Sequence, residues 1–373
     1  MQYYFSWILL CVSAEAIILA VKLLIRKKEI SPKKRAVLIA VKFLAAIASG
    51  TLVLAGPVFL RPVQPFMIAL YAVLFADAAA DVIISIICQI SKKKRKTIVS
   101  VITGAVFAVL FVIYGTVNME TIKPSYHEFK SDKLTSEHKI AFIADLHVGS
   151  AQPFEKDEKL IEDIKAENPD LIILGGDITD DYTTREEMEN IFSLFGNCGI
   201  PVYYVYGNHD RQGHAEYAHG LQYTPEELEN TLISNEIVIL KNRSAVIASD
   251  LVLYGFEDLS ENKDRHDNLN QDEISKYLDS ASDNDAYIIV TDHQPVKFKE
   301  NVAKGADLQL SGHTHAGQLF PLRFFYSLIG YVYGEYEYES SQMVVSSGAC
   351  GWRMPFRTDA HCNYEIITLK PSG

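Results

Sequence analysis

Residues 207–210 read Gly-Asn-His-Asp, and residues 312–321 read Gly-His-Thr-His-Ala-Gly-Gln-Leu-Phe-Pro. Each stretch follows a short apolar run typical of a buried strand. Three more polar clusters follow similar runs, at Asp145-Leu146-His147, Gly176–Asp180 and Asp292-His293. Charged helical segments alternate with the runs, a pattern that predicts an α/β fold with two sheets and outer helices. Because loops beyond the carboxyl ends of strands converge on one edge of such a sheet, the five clusters are expected to meet there.

The five clusters share one set of side chains, namely Asp, His and Asn without cysteine. This mixture favours two divalent ions of borderline hardness, such as Mn²⁺, Fe or Zn²⁺. A single cluster is a weak signal, because Gly-Asp and Gly-Asn are ordinary turn dipeptides. Five clusters in order, each after a strand, predict a dinuclear metal centre.

In this order the clusters resemble the signature blocks of the calcineurin-like metallophosphoesterase superfamily. The resemblance covers residues 138–369, and it is specific because Gly-Asn-His-Asp and Gly-His-Thr-His occur together. Ser347–Gly351 and Pro355–Arg357 are similar to the membrane-associated bacterial subgroup that includes YkuE and YaeI. The resemblance implies a four-layer αββα sandwich and a metal-dependent phosphoric ester hydrolase acting on a phosphomonoester, phosphodiester or pyrophosphate.

The resemblance also implies roles for individual residues. The first ion would be bound by Asp145, His147, Asp177 and His315. The second would be bound by Asp177, Asn208, His293 and His313, so that Asp177 bridges the two. His209 would face the scissile phosphate and protonate the leaving oxygen, and Asp210 would orient His209. A hydroxide between the ions would attack phosphorus, which agrees with the absence of a Ser or Cys nucleophile motif.

The amino-terminal third of the chain differs from the rest in charge and hydropathy. Residues 1–120 contain 14 Lys/Arg and 5 Asp/Glu, a balance of +9, whereas residues 121–373 contain 21 and 42, a balance of −21. Four apolar runs without a polar stripe predict transmembrane helices, because each exceeds the roughly 20 residues needed to cross a bilayer. They lie at about residues 4–25, 36–60, 63–90 and 97–117. The lipid bilayer is therefore an expected partner.

Two Lys/Arg-rich loops, residues 26–35 and 92–96, set the expected orientation. Such loops stay in the cytoplasm, so four spans predict a multi-pass plasma-membrane protein with its amino terminus and catalytic domain outside the cytoplasm. A polar linker is expected over residues 118–137, and the catalytic domain over residues 138–373. Helices are expected there at Glu155–Glu167, Arg185–Phe195 and Pro225–Ser234. An exterior location leaves open a disulfide between Cys350 and Cys362, although the odd number of cysteines argues against it.

Two carboxylates, Asp77 and Asp81, lie four residues apart inside the third apolar run and therefore share one helix face. Carboxylates in lipid often mark a functional path. The alternative is a structural one, in which they form hydrogen bonds between helices, and the surrounding alanines would allow such close packing.

The segment Leu319–Tyr338 contains eight aromatic residues beside the fifth cluster. Phe324 and Phe325 are candidates for contact with a lipid, and Arg323 and Arg357 could neutralise a phosphate or head group. The resembled subgroup is linked with such substrates, so a phospholipid or a UDP-diacylglucosamine-like pyrophosphate is one interpretation. The alternative is an aromatic hairpin that covers the core of the second sheet.

Two other functions use the same residues. One is a catalytically silent metal-binding membrane sensor or scaffold, which the complete ligand set and the presence of His209 disfavour. The other is a nuclease of the same superfamily, which the acidic charge disfavours because it repels phosphate backbones. No nucleic-acid partner is therefore expected, and no protein partner can be inferred from the sequence.

Overall fold

The computed structural model describes residues 31–55, 64–93, 97–149, 154–213, 220–261, 286–352 and 355–372, with Ser13, Ile17 and Ile18. It divides the chain into two compact units, Met1–Asn118 and Met119–Gly373.

The described part of the first unit contains three long helices. They are α1 (Pro32–Ala55), α2 (Gln64–Ser91) and α3 (Thr97–Glu120). Each has a stretch long and apolar enough to cross a membrane. The span predicted at residues 4–25 lies outside the described residues, apart from three helical positions. The four-helix region and its orientation therefore stay predictions.

An ion-pair cluster joins α1 to α2. The Nζ atom of Lys42 lies 2.6 Å from Oδ2 of Asp77 and 2.6 Å from Oδ2 of Asp81. Both carboxylates are buried. An ammonium group between two carboxylates offsets much of the cost of burying charge, so the structure favours the structural role for this pair.

The second unit is built from two six-stranded mixed sheets. Strand order in the first sheet is β1-β12-β2-β3-β4-β5, and in the second it is β10-β11-β9-β8-β7-β6. The first sheet comprises β1 (Ile122–Ser131), β2 (His138–Ile143), β3 (Leu171–Leu174), β4 (Val202–Tyr204), β5 (Val238–Ile239) and β12 (Cys362–Pro371). The second comprises β6 (Arg243–Ala248), β7 (Leu251–Gly255), β8 (Tyr287–Thr291), β9 (Leu308–Ser311), β10 (Gly334–Tyr338) and β11 (Ser341–Val345).

The two sheets pack face to face and enclose one apolar core. Its members include Phe142 and Ile173 from the first sheet and Leu253, Ile289 and Leu310 from the second. Because these strands are buried on both faces, they read as continuous apolar runs rather than alternating ones.

Three helices cover the outer face of the first sheet and form a second apolar cluster with it. They are α4 (Phe154–Ala166), α5 (Arg185–Gly196) and α6 (Pro225–Ser234). Capping boxes at Thr184 and Thr224, each with a Glu three residues later, fix where α5 and α6 begin. On the second sheet the described residues place the short α7 (Phe298–Val302), whose Phe298 packs on Met343 and Val345. The two-sheet α/β fold is observed, and the full four-layer form stays a prediction.

The prediction of a linker over residues 118–137 is wrong for residues 122–131, which form β1. This strand pairs in parallel with β12 along its whole length. Proline lacks an N–H group and interrupts most strands, but β1 accommodates Pro124 because it is an edge strand. Residues 122–131 therefore belong to the folded second unit rather than to a linker.

Candidate metal centre

The five polar clusters lie at the carboxyl ends of neighbouring parallel strands. Asp145 and His147 follow β2, Asp177 follows β3, and Asn208 and His209 follow β4. His293 follows β8, and His313 and His315 follow β9. Parallel pairing of β2 with β3, of β3 with β4 and of β8 with β9 brings these ends together at one edge of the sandwich.

Three groups of possible ligand atoms occur among the described residues, and two of them consist wholly of residues from the five clusters, whereas the third joins Asp180 and His209 to Asp181. In the first, single ligand atoms of Asp145, His147 and His315 all lie within 4.8 Å of one another. The Nε2 atoms of His147 and His315 are 3.2 Å apart. In the second, ligand atoms of Asp177, His293 and His313 satisfy the same limit. Each group has the size and chemistry of one divalent-ion site.

Asp177 connects the two groups through a single oxygen. Its Oδ2 atom lies 3.1 Å from Nε2 of His293 and 3.8 Å from Nε2 of His147. Its other oxygen, Oδ1, accepts a hydrogen bond of 2.8 Å from the backbone N–H of His209. One carboxylate therefore faces both candidate ion positions.

The outer nitrogen of three ligand histidines is held by a fixed acceptor. Nδ1 of His147 lies 2.8 Å from Asp180, that of His293 lies 2.9 Å from the Gly175 carbonyl, and that of His315 lies 3.2 Å from the Cys350 carbonyl. Such contacts favour a proton on Nδ1 and leave Nε2 as the lone-pair donor. All three Nε2 atoms are consequently prepared to ligate a cation.

The backbone is strained at most of the candidate ligands. Positive φ angles, between 45° and 71°, occur at Asp145, His147, Asp177, His313 and His315. Side chains other than Gly rarely adopt this region, and such strain concentrates at functional sites. The turns also need glycine: a Cβ atom at Gly207 would lie 2.2 Å from Oδ1 of Asp177.

The histidines of the site differ in pKa because burial and neighbouring charges act on them differently. Burial lowers the pKa of His313 to about 4, which keeps this imidazole neutral. Burial also holds the pKa of His315 well below its usual range. Burial opposes the charge on His293, but Asp177 beside it raises the pKa of His293 well above its ordinary value. A second source of positive charge at Asp177 would displace that proton, as ligation requires.

Asn208 provides an independent test of whether the residues fit a metal. Its Oδ1 atom is buried and has no hydrogen-bond partner among the described residues. A buried amide oxygen without a partner is costly, and a divalent cation is a suitable acceptor of its lone pair. The donor set therefore fits two divalent ions.

His209 is paired with a different carboxylate from the one expected. Nδ1 of His209 lies 2.9 Å from Oδ2 of Asp181. Both oxygens of Asp210 instead accept hydrogen bonds from backbone N–H groups, those of Asp177, Gly207 and Thr179. The expectation that Asp210 orients His209 is thus corrected: Asp210 ties two ligand loops together, and Asp181 orients the imidazole. Asp181 lies 28 residues before His209 and outside the five clusters, so the sequence did not indicate it.

Asp181→Asn is expected to lower kcat by about 10–100-fold with metal content retained. Burial opposes the charge on His209, but Asp177 and Asp181 raise its pKa to about 9. Loss of the Asp181 charge lowers that pKa, so the alkaline limb of the pH–rate profile moves to lower pH. An unchanged limb would contradict the pairing. Asp163→Asn, at an exposed position of α4, is the control.

Arg357 was a candidate for substrate binding, and the structure assigns it to the interior. The side chain is fully buried. Nη2 donates to the carbonyls of His315, at 2.6 Å, and Ser347, and Nη1 donates to the Cys350 carbonyl at 3.3 Å. The guanidinium thereby braces the loop that carries His315. Cys350 and Cys362 beside it are both free thiols, so the disulfide is not formed.

Arg357→Met is expected to lower the free energy of unfolding by about 3 kcal/mol or more, because it leaves several buried carbonyls without donors. Arg323→Met is the matched control, since Arg323 is half-exposed and paired with Asp359 at the surface; its cost should stay below about 1 kcal/mol. Chemical denaturation of both variants measures the difference. Equal small losses would show that Arg357 does not brace the loop.

The aromatic segment divides into two parts. Tyr336 and Tyr338 lie on β10, which forms a hairpin with β11 and packs on Phe298. The earlier part contains α8 (Leu322–Tyr326), where Phe324 and Phe325 are exposed. The alternative of an aromatic hairpin that covers the second sheet is therefore correct only for the end of the segment, which forms β10.

A pocket of about 410 Å³ opens beside α8. Its lining comprises Phe320, Pro321, Arg323, Phe324, Ser327, Val332, Tyr333, Tyr336 and Asp359. It adjoins the metal-ligand loop, because the hydroxyl of Thr314, between the two loop histidines, donates to the Val332 carbonyl. Arg323 is bound to Asp359 at 3.1 Å.

Two residues of the site carried no signal in the sequence. The ring of Trp352 lies 5.7 Å from the ring of His209. Asp258 is fully buried, and its charge raises the pKa of His293. Both lie outside the five clusters, so only the fold brings them to the site.

Two sheets that deliver Asp, His and Asn side chains to two joined ligand groups form a candidate dinuclear metal centre of the hydrolase type. Residues 138–317 match the family model described as calcineurin-like phosphoesterase, and this part of the chain is a calcineurin-like metallophosphoesterase domain.

Curated relatives carry related names. The chain is 31% identical over 253 residues to an uncharacterized metallophosphoesterase of Helicobacter pylori, which covers 65% of this chain and 62% of the relative. It is 28% identical to a transmembrane protein with metallophosphoesterase domain of Danio rerio, covering 74% and 63%. It is 26% identical to the uncharacterized metallophosphoesterase YkuE of Bacillus subtilis, covering 63% and 80%. The match therefore spans less than two thirds of the Helicobacter and Danio proteins.

Proposed function

We propose that this protein hydrolyses phosphoric esters at a dinuclear metal centre. The observation that carries the proposal is the position of Asp177, whose Oδ2 atom faces His147 of one ligand group and His293 of the other. Two divalent cations at such a site would neutralise the phosphate and supply an activated water.

The residues of the chain would act around that substrate. The Nδ1 contact of His209 with Asp181 turns its Nε2 atom away from Asp181. A raised pKa keeps this imidazole protonated at neutral pH, as a general acid for the leaving oxygen requires. Trp352 beside it would contact the leaving group.

Hydrolysis of p-nitrophenyl phosphate and bis-p-nitrophenyl phosphate by the purified full chain tests this function. Turnover is expected with Mn²⁺ or Zn²⁺, loss after chelation, and recovery after metal is returned. Protein that retains metal but turns over neither ester with any divalent ion would support the sensor function instead. Cleavage of single-stranded DNA in preference to both esters would support the nuclease.

We also propose that the chain is anchored in the plasma membrane, with the catalytic domain outside the cytoplasm. The three apolar helices and the two basic loops support this arrangement. A reporter fused after Gly373 tests it. Active alkaline phosphatase with dark green fluorescent protein is expected, and the reverse pattern means that the number of spans differs from four.

For the substrate, we propose an ester or pyrophosphate with an apolar, lipid-linked portion held in the pocket beside α8. The pocket combines Phe320 and Phe324 with the cation of Arg323 and adjoins the loop of His313 and His315. This part of the proposal requires a comparison of two substrates that share one head group.

Phe324→Ser is expected to reduce hydrolysis of a short-chain lipid phosphodiester about 10-fold, with little effect on its water-soluble head-group analogue. Phe325→Ser is the control, because Phe325 is exposed on the same helix but does not line the pocket. Measurement in detergent excludes any effect of a bilayer. The combined Phe324→Ser and Phe325→Ser variant completes the series; equal losses on both substrates would make the segment structural.

A further inference from the structure

The loop of residues 346–348, which follows β11, lies directly against the candidate ligand Asp145. A Cβ atom at Gly348 would lie 2.8 Å from Cβ of Asp145 and 3.3 Å from its Oδ2 atom. Gly348 also has a φ angle of 85°, so this close approach requires glycine. Two residues later, the N–H group of Cys350 donates to the Asp145 carbonyl at 2.9 Å. The position of the Asp145 backbone and side chain therefore depends on where the loop lies.

The buried side chain of Asn363, on β12, holds this loop. Its Oδ1 atom accepts hydrogen bonds from the Ser346 hydroxyl at 2.9 Å, and from the N–H group and the hydroxyl of Ser347 at 3.0 Å and 2.7 Å. The Ser346 hydroxyl also accepts a hydrogen bond from the Gly348 N–H group at 3.1 Å. The backbone N–H group of Asn363 donates to the Gly348 carbonyl at 2.9 Å. Asn363 thus fixes each residue of the loop, either directly or through one hydroxyl.

The other end of the Asn363 amide is fixed by residues of the sheet edge. Its Nδ2 atom donates to Oε1 of Glu365 at 2.7 Å and to the Ser125 hydroxyl at 2.8 Å. Oε2 of the buried Glu365 lies 2.9 Å from Nε2 of His127, whose Nδ1 atom contacts Glu335 on β10. Because acceptors surround Nδ2 and donors surround Oδ1, the amide has a single orientation that satisfies every partner.

We propose that Asn363 is a positioning residue for the metal centre: it fixes the loop of residues 346–348 so that Asp145 is placed to bind its ion. Glu365 and His127 keep the amide in the orientation that this task requires. The inference rests on the dinuclear centre proposed above, but not on hydrolytic turnover.

The backbone of Asp145 supports this role. Its φ angle is 54°, a conformation that a residue other than glycine keeps only when its surroundings hold it there. The loop of residues 346–348 supplies part of that restraint. The Asp145 carboxylate also accepts a hydrogen bond of 2.9 Å from the His313 N–H group. Loss of the loop contact should therefore weaken binding of the ion rather than abolish it.

Titration of the full chain in detergent with Mn²⁺ tests the proposal without any substrate, because electron paramagnetic resonance measures the free ion. Asn363→Ala is expected to raise at least one of the two Mn²⁺ dissociation constants about 10- to 100-fold, the usual effect of removing a partner that orients a ligand. Asn301→Ala is the matched control. Asn301 is also a buried amide that donates to a side chain, that of Gln309 at 2.9 Å, but it lies on α7, which carries no candidate ligand.

Ser346→Ala gives a second measurement, which decides the question should Asn363→Ala not fold. It removes only the hydroxyl that links Asn363 to Gly348, and it is expected to raise the same dissociation constant about 10-fold. Ser341→Ala is its control, because the Ser341 hydroxyl is also buried and donates to the Ala306 carbonyl at 2.9 Å. Dissociation constants that match those of the two controls would overturn the proposal and make the network purely structural.

A double-mutant cycle tests the route through Asp145. Once Asp145→Ala has removed that ligand, Ser346→Ala should leave the affinity for the remaining ion unchanged, and a further loss overturns the assignment to Asp145. A parent chain that binds no Mn²⁺ would overturn the centre and this inference together. Binding of two ions without turnover of either ester would refute only the hydrolase.

Discussion

Asp177→Asn is expected to abolish phosphoester hydrolysis. Its Oδ2 atom faces both ligand groups, so a neutral amide weakens both candidate ion positions at once. The same change also disturbs Oδ1, which receives the backbone N–H of His209. Values of kcat/KM for p-nitrophenyl phosphate, with saturating Mn²⁺, measure the effect.

Retention of more than about a tenth of the activity, equivalent to less than roughly 1.4 kcal/mol in the barrier, would contradict the bridging role. Asp163→Asn serves as control, because it removes a carboxylate that is exposed on α4 and paired with Lys159 on the preceding turn. Metal analysis of Asp177→Asn should show the loss of at least one ion per chain.

His209→Ala is expected to lower kcat by about 10²–10⁴-fold, the usual contribution of a general acid, with both ions retained. The imidazole lies with Asp180 and Asp181, outside the groups of Asp145 and Asp177, so its removal leaves the ligand atoms of those two groups in place. Turnover of phenyl phosphate should fall further than that of p-nitrophenyl phosphate, because the better leaving group needs less protonation.

Metal content decides between the two possible roles of His209. Loss of both ions from His209→Ala would make it a ligand and refute the assignment. An equal loss of rate for both leaving groups, with metal retained, would show that His209 stabilises charge without transferring a proton.

The position of the site was predictable because its signal is local. Each cluster directly follows an apolar strand, and the carboxyl ends of parallel strands share an edge whatever the rest of the chain does. Thr184 and Thr224 likewise indicate where helices begin, because each forms a capping box with the Glu three residues later. Short-range chemistry of this kind is fully present in the sequence.

The errors concern contacts between residues distant in the chain. The sequence around Pro124 suggests a linker, but β12, more than 200 residues later, pairs with this segment at the edge of the sheet. Asp210 is adjacent to His209 and was the expected partner, but the path of the loop after β3 brings Asp181, 28 residues earlier, to the imidazole. The sequence suggests that Arg357 is a surface cation, whereas in the structure its guanidinium donates to three backbone carbonyls in the interior.

The sequence by itself determined the class of fold, the set of candidate ligands and the presence of apolar membrane helices. Residue type and spacing decide these properties, since they depend on burial of strands and on the chemistry of Asp, His and Asn. The tertiary structure alone decided which carboxylate orients His209, that Arg357 is internal, and which aromatic side chains remain exposed near α8. Those outcomes depend on which surfaces the packed sheets cover, and burial of one side chain is set by residues hundreds of positions away.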